Sequence, residues 1–365
     1  MDPRIREHAE IIVNHSLAVD AGDEVVVSMP NVAEDLEVAL YELLGDIGAV
    51  PVSASSPLSG RTNPRASRAY LRACDEFETP EHLLALFEEA DAFVIARAYE
   101  NVSQLADVEP AVQTAARKAA LPVQEERLSK PWCLTQFPSQ GNAQLAGMSL
   151  EGYENFVWDA VTKDWDAQRE FQANMVEILD GADEVRIVSG EETDLRMSVA
   201  GNKTLNDYGE RNLPGGEVFT APVPDSVEGE VLFDKPLYHN GREIEDARLQ
   251  FEGGEVVAHE AGKNEEYLTE ILNTDEGARR LGELGIGMNR AIDQFTYNML
   301  FDEKMGDTVH LAVGRAYEDT IGEGNEQNDS AIHVDMIVDM SENSFIEVDG
   351  ERVQEDGTFV FEDDW

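Results

Sequence analysis

Four short apolar runs, each separated from the next by a helical pattern, fill the first 130 residues and leave few folds open. The runs are Glu24 to Met29, Val50 to Ala54, Ala92 to Ala96 and Pro122 to Glu125. Around them, apolar residues recur at helical spacing from Ile5 to Leu17, Ala33 to Ile47, 64–75, 80–88 and Pro110 to Ala120. Strands that alternate with helices build a mostly parallel sheet with helices on its faces. The expected class is therefore α/β, with a doubly wound N-terminal domain. No strand run is followed by G-x-G-x-x-G or a P-loop, so nucleotide binding has little support.

Residues 149–181 read as one or two helices, and beyond them the texture changes. Val185 to Val188, Leu195 to Val199, Gly229 to Phe233, Ala247 to Phe251 and Glu255 to His259 read as short strands joined by Gly-rich turns. Glu265 to Leu281 has helical spacing, and strands return at His310 to Val313, Ala331 to Val338 and Ser344 to Val348. The expected division is an N-terminal α/β domain over 1–180 and a strand-rich α+β domain over 181–365.

Charge narrows the function classes. The chain carries 75 Asp and Glu against 27 Lys and Arg, a net charge of −48. A phosphate backbone needs a basic patch, so nucleic-acid binding is excluded, and docking on anionic membranes is disfavoured. Only 7 of the basic residues are Lys and 20 are Arg. Self-repulsion of this size weakens a compact state in dilute buffer, and molar salt screens it to within about 3 Å. Abundant acids with scarce Lys point to the cytoplasm of a salt-accumulating organism. No run of apolar residues is long enough to span a bilayer, and no apolar signal region follows the first residues. Cys74 and Cys133 form neither a metal spacing nor a disulfide framework, which fits a reducing compartment.

Against this acidic background, a few residues stand out by their neighbours. In Ile332-His333-Val334-Asp335-Met336, strand periodicity turns His333 and Asp335 to one face and the aliphatic residues to the other. An imidazole beside a carboxylate suits a divalent metal, although a surface pair on an edge strand gives the same pattern. In Val309-His310-Leu311-Ala312-Val313, a single His sits on an apolar strand, as a ligand or a hydrogen-bonded core residue. Glu217 leaves the Pro214-Gly215-Gly216 turn into an apolar stretch, where an unpaired carboxylate is costly. Glu283 is similarly embedded in Leu281-Gly282-Glu283-Leu284-Gly285-Ile286-Gly287. Its G-x-G follows a helical pattern, which argues against a phosphate loop. His8, His15 and His82 read as surface or packing residues. Two Glu, two His and one Asp within 217–335 suit a site with a carboxylate between two metal ions.

The same segments resemble the aminopeptidase T, aminopeptidase S and PepS-like family of thermophile-type metallo-aminopeptidases. The resemblance rests on Thr193-Asp194-Leu195, NLPGGEVFTAP over 212–222, LGELGIGMN over 281–289, FDEK over 301–304, HLAVG with Tyr317, and the Asn328-to-Asp335 stretch. It implies a metal-dependent aminopeptidase, and with the charge pattern a halophilic archaeal member. It further implies two divalent ions, zinc, cobalt or manganese, held by Glu217, Glu283, Glu303, His310, His333 and Asp335. Glu283 would be the bridge, and Tyr317 would stabilise an oxyanion. Peptide substrates and a homodimer are implied as well. Open beside this stand another two-metal hydrolase, such as an amidase or phosphoesterase, and a non-catalytic metal or peptide binder. A phosphoesterase would want basic residues near the metals, and few exist there beyond Arg290 and Arg315.

Overall fold

The computed structural model describes residues 2–56, 63–239 and 241–362. The chain forms two compact units, one of Met1–Lys163 with Gly209–Gly215, the other of Asp164–Tyr208 with Gly216–Trp365.

The first unit is built on a five-stranded, all-parallel sheet in the order Val50–Ser53, Glu24–Ser28, Ala92–Arg97, Trp132–Gln136 and Asn212–Leu213. The Ala92–Arg97 strand is buried along almost its whole length, which is why it reads as an unbroken apolar run rather than an alternation. Helix starts follow local chemistry. Asp2 accepts from the Arg4 amide at 2.9 Å, ahead of Pro3, and Ser149 caps its helix by accepting from Gly152 at 3.0 Å. Gly48 closes the Glu34–Ile47 helix in the left-handed region at φ 89°.

Two expectations fail. Pro122 to Glu125 is not a strand but lies inside the helix Pro110–Leu128. Ala116 and Val123, seven residues apart, are buried on one face of that helix, so the helical period runs through the proline. The strand is supplied instead by Trp132–Gln136. The helix expected over Glu265 to Leu281 stops at Leu272, and Leu281–Gly287 is a strand buried along its full length.

Among the described residues the second unit contains two large antiparallel sheets and a two-stranded ribbon of Leu237–His239 and Arg242–Ile244. The larger has eight strands, with Glu184–Ser189 and Thr193–Ser198 at its centre. The smaller runs in the order His333–Asp339, Thr308–Gly314, Leu281–Gly287, Glu217–Thr220 and Leu205–Asp207. Ile187, Leu195, Val231, Phe251 and Ile346 of the larger sheet share one apolar cluster with Val218, Leu284, Ile286, Val309, Leu311, Val334 and Met336 of the smaller. That cluster fixes the register of the smaller sheet, because a slip by one residue would expose every aliphatic side chain. Cys74 and Cys133 form no disulfide, and Cys133 is buried. Among the described residues no helix is long and apolar enough to cross a membrane.

Candidate metal centre

Strand alternation that sends aliphatic residues into the core sends a different set to the opposite face of the smaller antiparallel sheet. The register places Asp335 opposite Ala312, and Ala312 opposite Glu283. One row further, His310 and Phe219 flank Gly285, and Glu217 lies opposite Gly287. Glu217, Glu283, His310, His333 and Asp335 therefore share a face, although 118 positions separate the first from the last.

Gly285 is what gives His310 its room. A Cβ at that position would lie 2.0 Å from His310 Nε2 and Cε1. The glycine in a strand interior marks a close approach, here of an imidazole ring rather than a backbone or a phosphate.

The side chains form a connected series. His310 Nε2 lies 3.0 Å from Glu283 Oε1 and 3.3 Å from Glu217 Oε2. His333 Nε2 lies 3.7 Å from Glu283 Oε2 and 3.4 Å from Asp335 Oδ1. Glu283 thus presents one oxygen to each histidine. His333 Nδ1 donates to the Arg315 carbonyl at 2.7 Å, which fixes the ring and aims Nε2 at the carboxylates. Glu217, Glu283 and His310 are buried.

Lys304, fully buried, joins this series at its other end. Its ammonium lies 3.1 Å from Glu217 Oε1 and 3.8 Å from Asp207 Oδ2, and it donates to Glu303. Glu303 therefore reaches the cluster through Lys304. Tyr317 packs against His333 with ring centroids 4.8 Å apart and is half exposed. Asp302, next in chain, is structural: it accepts from the Thr296 amide and hydroxyl and from the Asn298 amide.

The electrostatics describe a site short of positive charge. Burial pushes the Glu217 carboxyl up to about 8, even with Lys304 pulling it down. Burial opposes the charge on His310, yet the Glu283 hydrogen bond and the charges of Glu217 and Asp335 lift it to about 9. His333 is lifted against its burial to about 10, chiefly by Asp335. Loss of water around the Tyr317 hydroxyl, and then the charges of Glu283 and Asp335, raise that phenol. Protons on the histidines balance the acids when no other cation does so. Yet Glu217 Oε2, Glu283 Oε2 and Asp335 Oδ1 remain buried without a hydrogen-bond donor. Buried carboxylate oxygens facing imidazole nitrogens are the donor set a divalent ion takes. Glu217, Glu283 and His310 offer ligand atoms all within 4.8 Å of one another, and Glu283, His333 and Asp335 offer a second such group.

Sequence reasoning overlooked Lys304 and Asp207 as members of this cluster. Lys304 had one signal, a rare lysine beside the Glu303 carboxylate. Asp207 had none among so many acids.

A buried histidine–carboxylate face of this kind has the donor set of a metal centre. The chain belongs to the thermophilic metalloprotease family (M29), whose model matches residues 1–363. It is 36% identical over 187 residues to aminopeptidase AmpS of Bacillus subtilis, across 44% of this chain and 45% of that protein. It is 40% identical over 162 residues to aminopeptidase T of Thermus aquaticus, across 41% of this chain and 38% of that protein. These matches span less than half the length of either relative. The solved structure of wild-type AmpT from Thermus thermophilus superposes with a TM-score of 0.85 at 26% identity, covering 98% of this chain and 99% of that one.

Proposed function

We propose that this protein is a metal-dependent aminopeptidase that removes N-terminal residues from short peptides, with its catalytic domain over 181–365. One observation carries the reading: Glu283 sits between two histidines with one carboxylate oxygen toward each. Glu217, Glu283 and His310 would hold one divalent ion, and Glu283, His333 and Asp335 a second, with zinc, cobalt and manganese as candidates. When bound, such ions polarise a substrate carbonyl and acidify water toward neutral pH. The relatives named above support the activity, since both are named aminopeptidases.

The chain's own residues then have distinct tasks. The Arg315 carbonyl holds the His333 ring, so its Nε2 stays aimed at Glu283 and Asp335. The Tyr317 hydroxyl donates to the negative charge that develops on the scissile carbonyl oxygen, since its raised pKa keeps it protonated. Glu217 and Glu303 are the carboxylates available to carry a proton to the leaving amine. The acid-rich face also recognises the substrate's free α-ammonium. Lys304 holds Glu217 and Glu303 in place for these roles. We further assign the protein to the cytoplasm of a salt-accumulating archaeon, as a homodimer.

Metal content by mass spectrometry, with turnover of leucyl-p-nitroanilide, tests the reading. Chelation should abolish turnover and added metal restore it. Glu283→Gln should lose both turnover and bound metal. Retained cleavage by that variant would sink the assignment, and metal binding without cleavage would make the protein a binder.

A further inference from the structure

The parallel sheet of the first unit carries a second cavity, unrelated to the metal face. Its strand order places Glu24–Ser28 between Val50–Ser53 and Ala92–Arg97, so the chain reverses its direction of travel across the sheet at the first strand. A cavity of about 240 Å³ lies against the face of the sheet, over Val26 and Ser28 of one strand and Phe93 and Ile95 of the next. Leu83 and Phe87 close its apolar side.

The polar side of this cavity is cationic, which is anomalous in a chain of net charge −48. Arg117 and Arg127 line it, and no Asp or Glu does among the described residues. The Arg127 guanidinium lies over the Trp132 ring at 5.4 Å. Burial, and then the like charge of Arg97, push the Arg127 pKa down to about 10. The charge that acts on this guanidinium is a like charge rather than a carboxylate.

We propose that this cavity binds a small amphipathic monocarboxylate, its carboxylate on Arg127 and its aliphatic or aryl body against Val26, Phe87 and Phe93. The volume equals about eight water-sized groups, which sets the ligand at roughly eight to ten heavy atoms. The absence of a lining carboxylate excludes amines and disfavours free amino acids, whose ammonium would find no partner. The site is therefore distinct in chemistry from a pocket for the α-ammonium of a peptide, and it does not rest on the metal centre.

Octanoate is the probe, measured by titration calorimetry on the full chain, with octan-1-ol and octylamine as comparators. Octanoate should bind saturably with one site per chain, and each comparator at least about tenfold more weakly, as expected when a charge-assisted hydrogen bond is lost. Arg127→Gln should weaken octanoate about tenfold or more. Ala120→Trp, which fills the cavity, should abolish binding while metal content and peptide turnover stay at wild-type values. Thermal melting of each variant separates lost binding from lost folding. No saturable binding up to about 10 mM octanoate, where even a weak site is populated, would overturn the proposal. So would equal binding of octanol, or unchanged affinity in a folded Arg127→Gln protein.

Discussion

Gly285→Ala tests the geometry of the metal face without removing any polar atom. The new Cβ would lie 2.0 Å from both Nε2 and Cε1 of His310, and 2.8 Å from Cδ2. Ordinary contact begins near 3.4 Å, so the ring must retreat by 3.4 − 2.0, or 1.4 Å. His310 Nε2 now sits 3.0 Å from Glu283 and 3.3 Å from Glu217, and a shift of that size breaks at least one of these approaches. The strand cannot yield instead, because its other face places Leu284 and Ile286 in the apolar cluster. Overpacking of this kind costs about 1–3 kcal/mol. A 1 Å misplacement at a catalytic centre costs about 100-fold in rate. Urea unfolding, metal content and leucyl-p-nitroanilide turnover read the three effects separately. Gly45→Ala is the control: nothing lies within 4 Å of its Cβ, inside the helix Glu34–Ile47. That exchange should stabilise by about 0.5–1 kcal/mol. A Gly285→Ala protein with wild-type stability, metal content and turnover would refute the placement of His310.

Other outcomes follow from the charges. Lys304→Met leaves Glu217, Glu303 and Asp207 without their shared ammonium and should destabilise by about 3–5 kcal/mol, read by urea unfolding; a loss under about 1 kcal/mol would contradict the burial of that pair. His8 is buried against Trp158, and burial pushes its pKa down to about 3. Its stabilising effect is complete above the unfolded value of 6.5 and is lost as pH falls from there toward 3, by about 1.4 kcal/mol per pH unit. His8→Gln should flatten the acid limb of the stability–pH curve, and parallel curves would reject the neutral His8. Finally, the thermal midpoint should climb as KCl rises from about 0.1 to 1 M and the screening length falls from about 10 to 3 Å. A flat response would show that the net charge of −48 exerts little strain on the fold.

Local pattern made some of this architecture legible, and distance hid the rest. The parallel sheet could be read because a strand covered on both faces must be apolar throughout, as Ala92–Arg97 is. His333 and Asp335 could be read because alternation alone puts them on one face. Leu281–Gly287 escaped recognition as a strand for the opposite reason: Gly285 has no meaning until His310, on the next strand, is seen to need the space. The Pro110–Leu128 helix was cut short because Pro122 suggests a break, while the burial of Val123 that keeps the helix going depends on a core assembled elsewhere. Lys304 is the sharpest case. With 75 acids in the chain, a carboxylate beside a lysine in sequence carries no information by itself. What distinguishes Lys304 is complete burial among Asp207, Glu217 and Glu303, residues drawn from three separate segments. Sheet register sets Asp207 opposite Glu217, and the turn after the Met299–Asp302 helix brings Lys304 to both, an arrangement that belongs to the fold rather than to any motif.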